Sequence, residues 1–102
     1  MLDVVGYGRI ASDISTKKSK NQKRLYTTFL LASHERKETT FIRCVAFDGT
    51  ATLLESYFSK GDRIILKGSL INDNYNGSKY VFKIKVTSFE FVETKREHDN
   101  KQ

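Results

Sequence analysis

The chain has 102 residues, enough for one domain with one core and short of the length that usually divides into two. Its 38% hydrophobic and 12% aromatic residues can fill a compact interior, which argues against disorder throughout, while 29% charged residues keep the surface wet. Eighteen Lys and Arg against twelve Asp and Glu leave +6, and because residues 93–102 hold three of each sign, the excess lies within residues 1–92 and points to a polyanionic partner.

Leu2 to Ala11 is β-prone and interrupted by Gly6 and Gly8, as in a bent first strand with a bulge or a close backbone approach. Ser12 to Lys23 is polar and without apolar periodicity; it reads as a long positive loop carrying Lys17, Lys18, Lys20 and Lys23. Arg24 to Ala32 resumes an extended pattern with Phe29 and Leu31 on one face, and Ser33 to Glu38 is a charged connection into a third strand. In that strand, Thr39 to Phe47, Ile42, Cys44 and Ala46 point one way, and Phe41, Arg43, Val45 and Phe47 the other.

Leu53, Leu54, Tyr57 and Phe58 recur at helical spacing, with Asp48 and Thr50 as candidate caps and Gly61 as the stop. A fourth strand, Asp62 to Asn72, leads into a hairpin whose turn signal is Asn76-Gly77. In the fifth strand the apolar residues Tyr80, Phe82, Ile84 and Val86 change parity to Phe89 and Phe91. One extra residue at Thr87 or Ser88, a β-bulge, would bring both sets to one core. The order β-β-β-α-β-β predicts an all-β, five-stranded Greek-key OB-fold barrel with one short helix between strands three and four. Residues 1–92 are expected to form the domain and 93–102 a flexible tail.

An unpaired nucleic acid strand offers a phosphate at every nucleotide and a flat base freed from its partner, so a binder needs cations along a groove and aromatic platforms within it. Phe41 and Phe47 flank Arg43 on one face of the third strand. The competing reading puts both rings in the core and the small aliphatic set beneath an oligomer partner. Arg43 argues against it, because a guanidinium without a partner is costly in a core and useful beside a base or phosphate. Tyr75, among Asn and Asp at the hairpin tip, suits stacking, and folding back on its own hairpin is the alternative. Lys17, Lys18, Lys20, Lys23 and Arg24 form the densest positive run, in the loop that borders an OB groove; an ordinary solvated loop is the competing account. Lys67, Lys79, Lys83 and Lys85 alternate with apolar residues on outer strand faces; Lys67 and Lys79 are binding candidates, and at least two of the four serve solubility.

Nothing in the sequence signals catalysis, a metal or a cofactor: His34 and His98 lie far apart, Cys44 falls in an aliphatic stripe, and no Gly-rich phosphate loop occurs. The lone Cys44 cannot form an intrachain disulfide, no apolar run nears the ~20 residues of a membrane helix, and Met1-Leu2-Asp3 does not open like a secretion signal. A cytoplasmic protein away from membranes is the expectation.

Three stretches are together specific. Thr40-Phe-Ile-Arg-Cys-Val-Ala-Phe47 resembles the Glu-Trp-His-Arg-Val-Val-Leu-Phe type strand of the bacterial and phage single-stranded DNA-binding proteins. Leu53-Leu-Glu-Ser-Tyr-Phe-Ser-Lys-Gly61 is similar to that family's helix and Lys-Gly exit, and Ile65-Leu-Lys-Gly-Ser-Leu70 to its Ile-Glu-Gly-Gln-Leu strand. Gly8-Arg9-Ile10 with Asp13 resembles the Gly-Arg-Leu start, and Phe29-Leu-Leu-Ala32 the second strand. The resemblance implies base stacking at Phe41, Phe47 and Tyr75 with Arg43 beside the first, adds Arg9 to the candidates, and puts Lys37 where the family has a further aromatic. It implies sequence-tolerant binding of single-stranded DNA in replication, recombination or repair. It also implies a homo-oligomer, a tetramer rather than a dimer, and contacts with replication or recombination proteins. The family's acidic, Phe-ending tail has no counterpart in Lys95 to Gln102, so the likeness is either to a short form such as phages, plasmids and mobile elements carry or to a truncated chain. A primosomal OB module that helps load a helicase is the alternative.

Overall fold

The computed structural model describes residues 1–19, 23–73 and 81–92. Six strands form, β1 (Asp3–Ile10), β2 (Ser15–Lys18), β3 (Leu25–Glu35), β4 (Glu38–Phe47), β5 (Arg63–Asn72) and β6 (Phe82–Phe91), with helix α1 (Asp48–Tyr57) between β4 and β5. Their order is β1-β5-β6-β4-β3-β2, and β1 returns to β3 at Arg9 opposite Ala32 and Ile10 opposite Leu31, which closes the five-stranded barrel expected from the sequence. β4 and β6 run parallel where they meet, Arg43 opposite Lys83 and Val45 opposite Lys85.

The predicted period-2 alternation gives the core. Phe29, Leu31, Cys44 and Ala46 point inward with Ile64, Leu66, Ile84 and Val86, and Ala51, Leu54 and Phe58 cover one end of the barrel. The parity change in β6 resolves as a bulge: Lys67 faces Ser88 while Gly68 faces Val86, so Thr87 is the extra residue, and its hydroxyl donates to the Lys67 carbonyl at 3.2 Å. Curvature also demands close backbone approaches. A Cβ on Gly8 would lie 2.3 Å from the Ala32 carbonyl oxygen, and one on Gly68 2.0 Å from that of Lys85.

Several expectations are corrected. The span Ser12 to Lys23 is not all loop: Ser15–Lys18 pairs with β3 through Ser15–Thr28, Thr16–Thr27 and Lys17–Tyr26. This edge ribbon lies outside the barrel, so it needs no apolar alternation; the Thr27 hydroxyl, buried beneath it, donates to the Ser15 carbonyl at 2.8 Å. Ser33 to Glu38 is mostly strand, closed by a two-residue turn at Arg36 and Lys37 in which Arg36 has φ 58°. Asp48 and Thr50 do not cap the helix: Phe47 is the N-cap and no side chain caps it, because the Asp48 carboxylate holds Arg24 instead. Nor does Gly61 end the helix. Phe58 does, in extended conformation, and Gly61, at φ 98°, serves the next turn, closed by the Asp62 N–H donating to Ser59. Phe82 and Phe91, assigned to the core by strand parity, are exposed, as are Leu53 and Tyr57 of the helical set. Phe91 stacks on Phe58 at 4.9 Å at the barrel's end, where no further strand covers it among the described residues. The Asn76-Gly77 turn, Tyr80 and residues 93–102 lie outside the described residues.

Candidate nucleic-acid interface

Because side chains alternate along a strand and directly opposed residues share a face, the register fixes what stands beside what. The outward row of β4, Phe41, Arg43, Val45 and Phe47, lies opposite Ala32, Leu30, Thr28 and Tyr26 of β3. Across its other edge it meets Lys83 and Lys85 of β6. Beyond β3, Ser15 and Lys17 of β2 continue the same face. The result is one largely polar and aromatic face across four strands, in which Val45 and Ala32 are buried, with the aliphatic stripe of β4 on the opposite side.

Phe41 is 60% exposed, so its ring is open to solvent. By ~3.3 Å of rise per residue, Phe47 lies about 20 Å along the strand. Phe47 is half-buried under cations: the Arg24 guanidinium sits 4.3 Å from its ring centroid and the Lys85 ammonium 5.8 Å. Both fall within the reach of cation–π attraction. Arg24 is held there by Asp48, Nε to Oδ2 at 2.9 Å. Arg43 also has a partner, which its position in the sequence did not reveal: Nε lies 2.9 Å from Oδ2 of Asp73 at the base of the β5–β6 hairpin. Lys83 Nζ approaches Oδ1 of the same carboxylate at 3.6 Å. The face is therefore cationic, with one buried carboxylate, Asp73, and one exposed, Asp48.

Of the candidate residues, the structure brings together Phe41, Arg43, Phe47, Lys17 and Arg24. Lys18 is exposed on the other side of the β2 ribbon, opposite Leu25, and Lys23 sits in the turn before β3 with φ 52°. Lys37 occupies the tip of the β3–β4 hairpin. Arg9 stands on β1, beyond Ala32, and its guanidinium donates to the Gly61 carbonyl at 3.0 Å. Lys67 is on β5, next to Val5 and past the bulge, two strands from β4. Lys20, Tyr75 and Lys79 lie outside the described residues. Sequence reasoning missed Lys83 and Lys85. Their outward parity was visible, but the parallel pairing that sets them beside Arg43 and Val45 joins segments about 40 positions apart.

Among the described residues no group of three potential metal-ligating side chains occurs, and no helix is long and apolar enough to cross a membrane. Cys44, buried against the core, has its thiol pushed up to about 12 by desolvation and lies on the inward side of β4, away from the face.

A family model, the single-strand binding protein family, matches residues 1–92. A protein of Malacoplasma penetrans (strain HF-2) named single-stranded DNA-binding protein is 32% identical over 68 residues, which make up 63% of this chain and 36% of that one. The match thus spans about a third of the relative's length. Among solved structures, the SSB domain of a Synechococcus sp. protein superposes with a TM-score of 0.74 at 11% identity, covering 88% of this chain and 94% of that one. The wild-type single-stranded DNA binding protein from Thermus aquaticus gives 0.76 at 21% identity, covering 92% of this chain and 41% of that one. At such identities these two likenesses speak for the fold, an OB barrel.

Proposed function

Since the chain belongs to the single-strand binding protein family, a family of binding proteins and not of enzymes, we propose that it binds single-stranded DNA across the β2-β3-β4-β6 face with little regard to sequence. The observation that carries this reading is the exposed Phe41 ring and the cation-covered Phe47 ring flanking Arg43 on a face that also holds Lys17, Lys83 and Lys85. Bases stack on Phe41 and on the Arg24–Phe47 pair, whose guanidinium plane is itself a stacking surface. The lysines meet phosphates, each neutralised phosphate adding about 0.7 to the salt slope for a single strand.

The resemblance extends the proposal to coating of exposed strand during replication, recombination or repair in the cytoplasm, by a homo-oligomer, a tetramer rather than a dimer. Supporting assembly, Asp3 to Tyr7 of β1 have a ladder partner on one side only among the described residues, and Val5 and Tyr7 there are exposed. An unpaired edge of this kind invites a second strand.

Fluorescence-anisotropy titrations with oligo-dT, oligo-rU and duplex DNA at two salt concentrations test the binding. Tight, salt-sensitive binding of oligo-dT with much weaker binding of duplex is expected; duplex binding equal to oligo-dT would overturn the reading. Light scattering across a concentration series tests the assembly, a monomer at all concentrations being the refuting result.

A further inference from the structure

Beyond the proposed face, the outer side of the barrel carries a second concentration of positive charge. Arg9 of β1 and Arg63 of β5 are direct partners in the antiparallel ladder, so their side chains leave the same side of the sheet with Cβ atoms about 5 Å apart. Both are exposed. Like charges opposed in this way repel and cost stability, and no carboxylate pairs with either among the described residues. Asp62, next to Arg63 in sequence, is engaged elsewhere: its Oδ2 accepts from the Ser59 N–H at 2.9 Å and from the Ser59 hydroxyl at 3.4 Å. Glu35, next to His34, lies on the other face of β3 by parity.

The two arginines border a hollow of about 250 Å³ whose remaining lining is Tyr7, Gly8 and His34. Its donors suit an oxyanion. Arg9 is held in place by donating from Nη1 to the Gly61 carbonyl at 3.0 Å and keeps its other N–H groups. The exposed His34 ring is pinned through Nδ1, 2.7 Å from the Thr39 hydroxyl; with that hydroxyl donating, Nε2 carries the ring N–H and can donate in turn. An anion between the guanidiniums would replace their repulsion with two charge-assisted contacts, for which the guanidinium fork is well shaped.

The register joins this hollow to the aromatic end of the face. Arg63 is opposite Arg9, Arg9 opposite Ala32, and Ala32 opposite Phe41, a single outward row across β5, β1, β3 and β4. At ~4.8 Å between neighbouring strands, Arg9 stands about 10 Å and Arg63 about 15 Å across the sheet from Phe41. A strand with a base stacked on Phe41 therefore has these guanidiniums within reach of its next phosphates. We infer that Arg9 and Arg63, with His34 beside them, form a phosphate clamp that takes the DNA backbone beyond Phe41 and leads it across β3 onto the β1–β5 side of the barrel. The inference rests on the single-strand binding proposed above and extends its path by one anchored phosphate.

The test is an anisotropy salt series on wild type and Arg63→Gln with oligo-dT of about 6 and about 16 nucleotides, both within the range that one OB barrel occupies. With the longer oligonucleotide the slope of log K against log salt should be shallower by about 0.7 in the variant, and with the shorter one it should match wild type. The melting temperature should stay the same or rise, since one of two opposed like charges is gone. An unchanged slope with the longer oligonucleotide would overturn the clamp and leave single-strand binding standing. An equal loss at both lengths would also overturn it, because a diffuse loss of charge would then account for the effect. If wild type binds neither length, the proposed function fails and the clamp with it. Calorimetric titration with inorganic phosphate separates a strand phosphate from a free one. No saturable binding is expected at concentrations where the longer oligonucleotide saturates; saturable binding that Arg63→Gln abolishes would give the hollow to free phosphate and overturn the strand path.

Discussion

Lys85→Gln isolates the contribution of a cation whose importance only the register reveals. Lys85 stands outward opposite Val45 on the parallel partner of β4, and its ammonium lies 5.8 Å from the Phe47 centroid. No carboxylate pairs with it among the described residues, so its charge is available to a phosphate. With one phosphate fewer neutralised, the slope of log K against log salt should become shallower by about 0.7. If wild type and variant converge near 1 M salt, that slope corresponds to about fivefold weaker binding at 0.1 M. Lys83→Gln should change the slope less, because Lys83 already shares the Asp73 carboxylate with Arg43. Lys60→Gln, in the turn after the helix, should not change it at all. The assay is anisotropy with one oligo-dT at four or more salt concentrations. A Lys85→Gln slope equal to that of wild type, or a Lys60→Gln slope reduced as much, would refute the assignment of the phosphate path to the β4–β6 seam.

Phe41→Ala should weaken oligo-dT binding by about 1–3 kcal/mol, the range for removing a base–aromatic stack, with the melting temperature unchanged because the ring packs little in the free protein. Gly68→Ala places a Cβ 2.0 Å from the Lys85 carbonyl oxygen at the bulge; it should cost at least about 3 kcal/mol, the upper range for overpacking, and lower the melting temperature by more than about 12 °C by circular dichroism. Gly49→Ala, in the helix with nothing within 4 Å of the added methyl, should instead stabilise by about 0.5–1 kcal/mol. Cys44 should resist thiol-reactive disulfides at pH 8 until the protein unfolds. Its thiol is raised from 9.0 to about 12 in the fold, so the unfolded chain loses this proton first and stability should fall as pH rises from about 9 towards 12. The loss is at most about 1.4 kcal/mol per pH unit, measured by denaturant melts, and Cys44→Ala should flatten it.

Much of this architecture could be read from the chain because strand parity is a local property. Ile42, Cys44 and Ala46 against Phe41, Arg43 and Phe47 separated interior from face with no knowledge of neighbours, and the shift from Val86 to Phe89 required a bulge at Thr87 or Ser88, which the pairing with β5 places at Thr87. What could not be read depends on pairing or on context. Ser15–Lys18 carries no apolar alternation because it lies outside the barrel, with Thr16 as its inward residue, so only its hydrogen bonds to β3 make it a strand. Asp48 has the residue type of a cap, yet Arg24, 24 positions earlier, takes its carboxylate. Phe91 has core parity but lies where the barrel ends, so parity alone overstates its burial.

The ion pairs also bear on how the proposed face would hold a strand. No sequence neighbour marks a partner for Arg43; in the structure its charge is shared with Asp73, and that of Arg24 with Asp48. Two of the guanidiniums best placed to meet a strand are thus already in ion pairs, and a phosphate must compete with a carboxylate for each. Arg24 and Asp48 pair at the surface, where such a contact contributes little to stability, so its effect falls mainly on geometry. Arg24 is kept over Phe47 and Arg43 beside Asp73, so on the proposed binding neither side chain would have to be ordered anew, which would lessen the entropic cost. Lys17 and Lys85, which have no such partners among the described residues, would then supply more of the salt-dependent attraction, and the arginines the orientation. Replacing Asp48 by Asn separates the two roles. Freed from its carboxylate, Arg24 gains charge available to phosphate but loses its fixed seat on the ring, so the salt slope should steepen while the stacking contribution measured through Phe47→Ala shrinks. A slope that steepens with the Phe47→Ala penalty unchanged would show that the ion pair does not set the ring's geometry.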